Sequence, residues 1–212
     1  MILAARVVAG VLGLILIASP GGAQSTAVAS VEGQEVHFVH VRSRHAGALP
    51  LILAPVWAGS VAEQLRMVEP LVDPTAHGGR AGDAFHVVIP LMPEGATGWD
   101  AERTARAWDA LMRGLGYRRY VAQGGDWGAF VMDPAGPRAP AGLLAIHTTV
   151  QPPARRPHRV SNPVAVTVFP GAPYEGRRRW TEQACSRLIY HVRGEQPADL
   201  ARELRTAFAS LR

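Results

Sequence analysis

From Glu35 onward, stretches with the two-residue period of a strand alternate with stretches of helical period. That alternation confines the chain to one kind of architecture, a mostly parallel α/β sheet covered by helices. Residues 36–41 alternate in the strand manner, and residues 49–54 form a short continuous apolar run. Ser60 then caps a helical stretch over 61–72, and Asp73-Pro74 with Gly78-Gly79 punctuates the loop that follows. Residues 85–89, Phe-His-Val-Val-Ile, are rich in β-branched side chains, as in a strand covered on both faces. The spacing of Ala105, Trp108, Leu111 and Met112 predicts a helix over 101–115, ending near Gly116, and residues 120–122 lead as a strand into Gly124-Gly125. Further strands are expected at 143–147, 164–169 and 188–192, with an amphipathic helix at 198–211. The count is a sheet of about seven strands. No internal repeat is visible.

Composition narrows the class. The chain has 212 residues, enough for one domain with a real core, and 18% charged residues, ordinary for a folded protein. Its formal net charge of +5 is carried without any lysine. A nucleic-acid binder would gather such charge on one face. Here arginine is spread along the chain, apart from Arg155, Arg156 and Arg159 and the triplet Arg177, Arg178, Arg179, which read as solvated loops. Cys185 is the single cysteine, so it supports neither a disulfide framework nor a cysteine zinc site, and it reads as a buried spectator. The beginning of the chain is separate from the fold. Arg6, the apolar run 7–18 and Ser19-Pro20-Gly21-Gly22-Ala23 have the layout of a secretory signal over residues 1–23. The run is shorter than the roughly 20 apolar residues of a membrane span. An uncleaved anchor is the alternative, and membrane contact is expected through that anchor alone.

The chemistry concentrates in one turn. Gly124-Gly125-Asp126-Trp127-Gly128 stands between a strand and the apolar start of a helix, Ala129-Phe130-Val131. A strand–turn–helix with small residues flanking a nucleophile lifts that side chain above the sheet, where the backbones approach too closely for larger residues. Aspartate at the nucleophile position sets the reaction. Its carboxylate is ionised near neutral pH and forms an ester by attacking an alkyl carbon. Epoxide opening and halide displacement both fit; an aspartate in an ordinary glycine-rich turn is the bland alternative.

On these residues the chain resembles the microsomal-type epoxide hydrolases of the α/β-hydrolase superfamily. The segments that carry the resemblance are residues 49–60, 73–79, 83–90 and 102–129, with a C-terminal part at 163–170, Trp180 and Leu188-Ile189-Tyr190. The resemblance implies a three-layer α/β-hydrolase sandwich in which Asp126 attacks an epoxide carbon. It also implies backbone N–H groups of Trp57 and Trp127 as the donors that stabilise the anion. Lid tyrosines protonate the ring oxygen in that family, and a histidine–carboxylate pair activates the water that hydrolyses the ester.

The departures from the family pattern fall on functional positions. The oxyanion segment reads Pro55-Val56-Trp57-Ala58-Gly59-Ser60, with Pro and Val where the family has His and Gly. Residues 151–160 replace the lid, so the tyrosine acids have no counterpart. Ala172 holds the relay-acid position, with Glu175 three residues later as the substitute, and the segment of the general base is gone between Gly194 and Glu195. His191 is the substitute base; a structural strand-end histidine is the competing reading. The expected organisation is a signal at 1–23, the N-terminal part of the core at 24–150, a linker at 151–160 and the C-terminal part of the core at 161–212. The expected protein is a lidless epoxide hydrolase-like chain with impaired turnover, or else an inactive remnant or interaction module. A small hydrophobic epoxide is its expected ligand, and export its expected fate if the signal is real. Neither a cofactor nor a metal is expected, since Gly124-Gly125 lacks a dinucleotide pattern and no histidine–carboxylate spacing suggests a metal.

Overall fold

A computed structural model describes residues 12–16, 24–31, 34–54, 61–91, 100–124, 140–148, 164–168, 188–192 and 200–212. The strands are β1 (Leu12–Leu16), β2 (Gln24–Val31), β3 (Gln34–Val41), β4 (Leu49–Leu53), β5 (Phe85–Pro90), β6 (Tyr120–Gly124), β7 (Leu143–Thr148), β8 (Val164–Val168) and β9 (Leu188–Val192). The helices are α1 (Val61–Val72), α2 (Ala101–Gly114) and α3 (Leu200–Ala207). All nine strands join one sheet in the order β1-β2-β3-β5-β4-β6-β7-β8-β9. From β5 across to β9 every pairing is parallel, whereas β1, β2 and β3 form an antiparallel flank.

The sequence-based count of about seven strands is therefore corrected to nine among the described residues. Both added strands precede Glu35. β2 reads Gln-Ser-Thr-Ala-Val-Ala-Ser-Val, with Ala27, Ala29 and Val31 buried in strict alternation. The period is present, but it is written in small side chains that carry little apolar weight. β1 lies inside the apolar run read as the core of a signal, and it pairs with β2.

Side-chain alternation sorts the core onto two faces. Leu49, Leu51 and Leu53 of β4, with Phe85, Val87 and Ile89 of β5, join Leu71 of α1 and Leu204 and Phe208 from the α3 end of the chain. Ile52, Val88 and Ala122 point the other way, onto Ala107, Trp108, Leu111 and Met112 of α2. Every residue of β5 is buried, His86 included, as expected of a strand covered on both faces. The helix α2 starts where Asp100 accepts the Arg103 N–H at 2.7 Å, an N-cap that satisfies one orphan donor. It stops at Gly116, whose φ of 87° is left-handed, and the Tyr117 N–H then closes the end on the Met112 carbonyl at 2.8 Å. The expected C-terminal helix is shorter than its pattern: α3 ends at Ala207 and a 3-10 turn follows at Ala209–Leu211.

Candidate functional site

Chain direction in the sheet decides where chemistry gathers. β4 passes through α1 to β5 on one side, and β5 then passes through α2 to β6 on the other side of β4. The order reverses between β4 and β6, and in open α/β sheets the crevice beyond the carboxyl ends of strands at such a switch point receives the ligand. The two strands are locked there by the Ala54 N–H donating to the Gln123 carbonyl at 2.8 Å.

The residues singled out in the sequence attach to this edge. Asp126 and Trp127 follow the last residue of β6, Gly124, by two and three positions, and Trp57 follows Leu53 of β4 by four. Glu175 follows Val168 of β8 by seven, and His191 is the penultimate residue of β9, paired in register with Thr167. Asp126, Trp127, Trp57, Glu175, Ser60, Cys185 and both arginine clusters of the second half lie outside the described residues. β6 and β9 are separated by β7 and β8; at about 4.8 Å per strand, His191 stands roughly 14 Å to the side of β6.

Three buried polar side chains lie beneath this edge; of them the sequence reading weighs His147 alone, as a base less well placed than His191, and neither glutamine. Gln123 on β6 and His147 on β7 are in register and buried, His147 completely so. His147 Nε2 lies 4.0 Å from Glu203 Oε2 on α3, which joins the sheet to the helix behind it. Gln64, in the first turn of α1 after the 55–60 segment, is buried with its Oε1 unpartnered among the described residues. The only sequence signal was a polar residue inside an apolar period, such as the histidine in Leu-Leu-Ala-Ile-His-Thr. Among the described residues, no group of three His, Cys, Asp or Glu side chains gathers to hold a metal, and no helix is long and apolar enough to cross a membrane.

Comparisons with known proteins agree with this architecture. The family model described as the epoxide hydrolase N terminus matches residues 23–64, a span that takes in β2, β3 and β4. A candidate epoxide hydrolase of Stigmatella aurantiaca is 48% identical over 124 residues, covering 55% of this chain and 28% of that protein. Epoxide hydrolase 1 of Oryctolagus cuniculus is 30% identical over 128 residues, again 55% of this chain and 28% of its own length. The chain thus spans less than a third of the curated relatives it matches. Among solved structures, the juvenile hormone epoxide hydrolase of the silkworm Bombyx mori superposes with a TM-score of 0.72 at 16% identity, covering 89% of this chain and 77% of that one. The Aspergillus niger epoxide hydrolase gives 0.65 at 16% identity, over 88% and 77%. At that identity the two likenesses establish the α/β-hydrolase fold. Between β7 and β8 the chain has fifteen residues, 149–163, too few for a lid domain.

Proposed function

Because the chain belongs to the epoxide hydrolase family of the α/β-hydrolase superfamily, we propose that it opens epoxides through an ester on Asp126. The observation that carries this reading is the sequence Gly124-Gly125-Asp126-Trp127-Gly128, which begins at the last residue of β6, the strand beside the switch point of the sheet. A carboxylate oxygen of Asp126 attacks one ring carbon and the carbon–oxygen bond breaks. The ring oxygen then takes a proton from solvent, since the tyrosine acids of a lid have no counterpart. The Trp57 and Trp127 N–H groups serve as the donors for the anion that forms when water later attacks the ester.

That second step is the impaired one. His191 is the substitute base and Glu175 its acid, and with His191 three strands from β6 a water chain has to bridge the gap. The ester consequently outlives its formation. Incubation with an aryl epoxide followed by peptide mass spectrometry is expected to show one adduct on the peptide containing Asp126, stable over hours and lost in Asp126→Asn. Steady multiple turnover would overturn the impaired-base part of the reading. A second reading, a non-catalytic module of the same fold, is favoured by the fifteen-residue span in place of a lid; it predicts neither adduct nor turnover. We further propose export through the leader at 1–23, which N-terminal sequencing of protein recovered from outside the cytoplasm tests directly.

A further inference from the structure

A polar residue stands in the buried stripe of α1. Val68, Leu71 and Val72 of this helix pack into the core with Leu51 and Leu53 of β4 and Val87 and Ile89 of β5. Gln64 precedes them by four, seven and eight positions, so the helical period puts it on the same face, one turn nearer the start of the helix. It is 4% exposed, and its Oε1 is buried with no hydrogen-bond partner among the described residues. An acceptor buried in this way costs stability unless a donor reaches it.

The place of this acceptor in the fold is specific. The chain enters α1 after leaving the carboxyl end of β4, so the first turn of the helix lies at the carboxyl edge of the sheet. That is the edge where β6 ends and Gly125-Asp126 follows. The first turn of an α-helix also presents backbone N–H groups that no intrahelical carbonyl accepts, and they form the positive end of the helix dipole. A side-chain acceptor and free donors within one turn suit a small molecule that both gives and takes hydrogen bonds. Water does both, whereas an epoxide ring has no hydrogen to donate.

We propose that Gln64 and the first turn of α1 hold a buried water, and that this water hydrolyses the ester on Asp126. The inference rests on Asp126 being the nucleophile. One hydrogen of the water points to Oε1 and its oxygen faces the helix N–H groups, where the dipole favours the negative charge that grows during attack. The water oxygen bonds to the ester carbonyl carbon, and the bond from that carbon to the substrate oxygen breaks. The departing oxygen takes one water proton and becomes an alcohol. The other proton leaves along the water chain toward His191 and solvent as the Asp126 carboxylate is restored. Gln64 is a positioning residue here, since an amide is no base. The full chain is crystallised and, separately, treated with styrene oxide and followed by peptide mass spectrometry. An ordered water about 3 Å from Gln64 Oε1 is expected in the crystal. Gln64→Met, close in length but without the amide, should form the Asp126 adduct at the native rate and lose it about tenfold more slowly, the value of one orienting hydrogen bond. Gln64→Leu replaces it if the methionine variant does not fold, and Gln64→Glu, which keeps an acceptor, should bring adduct loss back to at least the native rate. A protein N–H donating to Oε1 in place of the water, or adduct loss at the native rate in the apolar variants, overturns the proposal. No adduct on the native chain overturns the nucleophile and with it the hydrolytic role, and the crystal alone then decides the water.

Discussion

His40 illustrates what a single buried side chain does to the whole. Burial first, then the charges of Arg42 and His86, bring its proton affinity down from 6.5 to about 4, and His86 is lowered as well, by burial and by Arg42. The unfolded chain therefore binds more protons than the folded one between those limits. Stability contributed by the neutral rings is fully present above about pH 6.5 and is lost as the pH falls toward 4. Urea midpoints of the native chain are expected to drop between pH 7.5 and 5.5, a window in which exposed carboxylates stay ionised. His40→Gln should flatten that dependence, and an unchanged slope would rule out the assignment. Neither histidine was marked by the sequence as anything but a strand residue, because the ring that buries them, Tyr117, arrives from a turn 77 residues beyond His40.

Elements show the same division between local and distant causes. The pattern of α2 was readable because its start, face and stop are all local: the Asp100 cap, the buried Ala107, Trp108, Leu111 and Met112, and the left-handed Gly116. β5 and β6 were readable because both are covered on two faces, so nearly every side chain is apolar. α3 is different. It is eight residues long, short enough to be marginal alone, and depends on Leu200, Ala201, Leu204 and Ala207 being buried against the sheet. Leu204 is completely buried among β-strand side chains, so Leu204→Ala is expected to cost about 2–5 kcal/mol, read as a lower denaturation midpoint with the urea slope unchanged. A cost below about 1 kcal/mol would mean that α3 adds little to the core. Arg212 continues this docking, with its guanidinium 4.4 Å over the Phe85 ring and donating to the carbonyls of Gly82, Asp83 and Ala84.

On the scale of the molecule, the sheet has a parallel body and an antiparallel flank, and the flank bears on the proposed leader. Among the described residues, β1 is an edge strand that pairs with β2 alone. Removing residues 1–23 leaves β2 to β9 with every other pairing intact. The shortened chain is expected to unfold within a few degrees of the full one by calorimetry, because only one edge ladder is lost. A fall of more than about 10 °C would make β1 part of the folded body and count against a cleaved signal. The fifteen residues joining β7 to β8 matter at this scale too, since a lid would cover the carboxyl edge of β4 and β6 and shape the pocket for one epoxide over another.

The sequence alone carried the α/β alternation and the family resemblance, because each rests on neighbours within a few residues; the reading of Asp126 as a nucleophile is a proposal from the same local pattern. It could not carry β2, whose small side chains give a weak periodic signal, nor β1, which lies in the apolar run that reads as a signal. Nor could it show that the strand order reverses beside β6, because order in a sheet depends on which side of β4 each crossover lands. The tertiary structure also brought together the polar side chains of distant segments: His147 with Glu203 beneath the proposed catalytic edge, and His40 and His86 with Tyr117 at the opposite end. Such groupings come from packing and have no period along the chain.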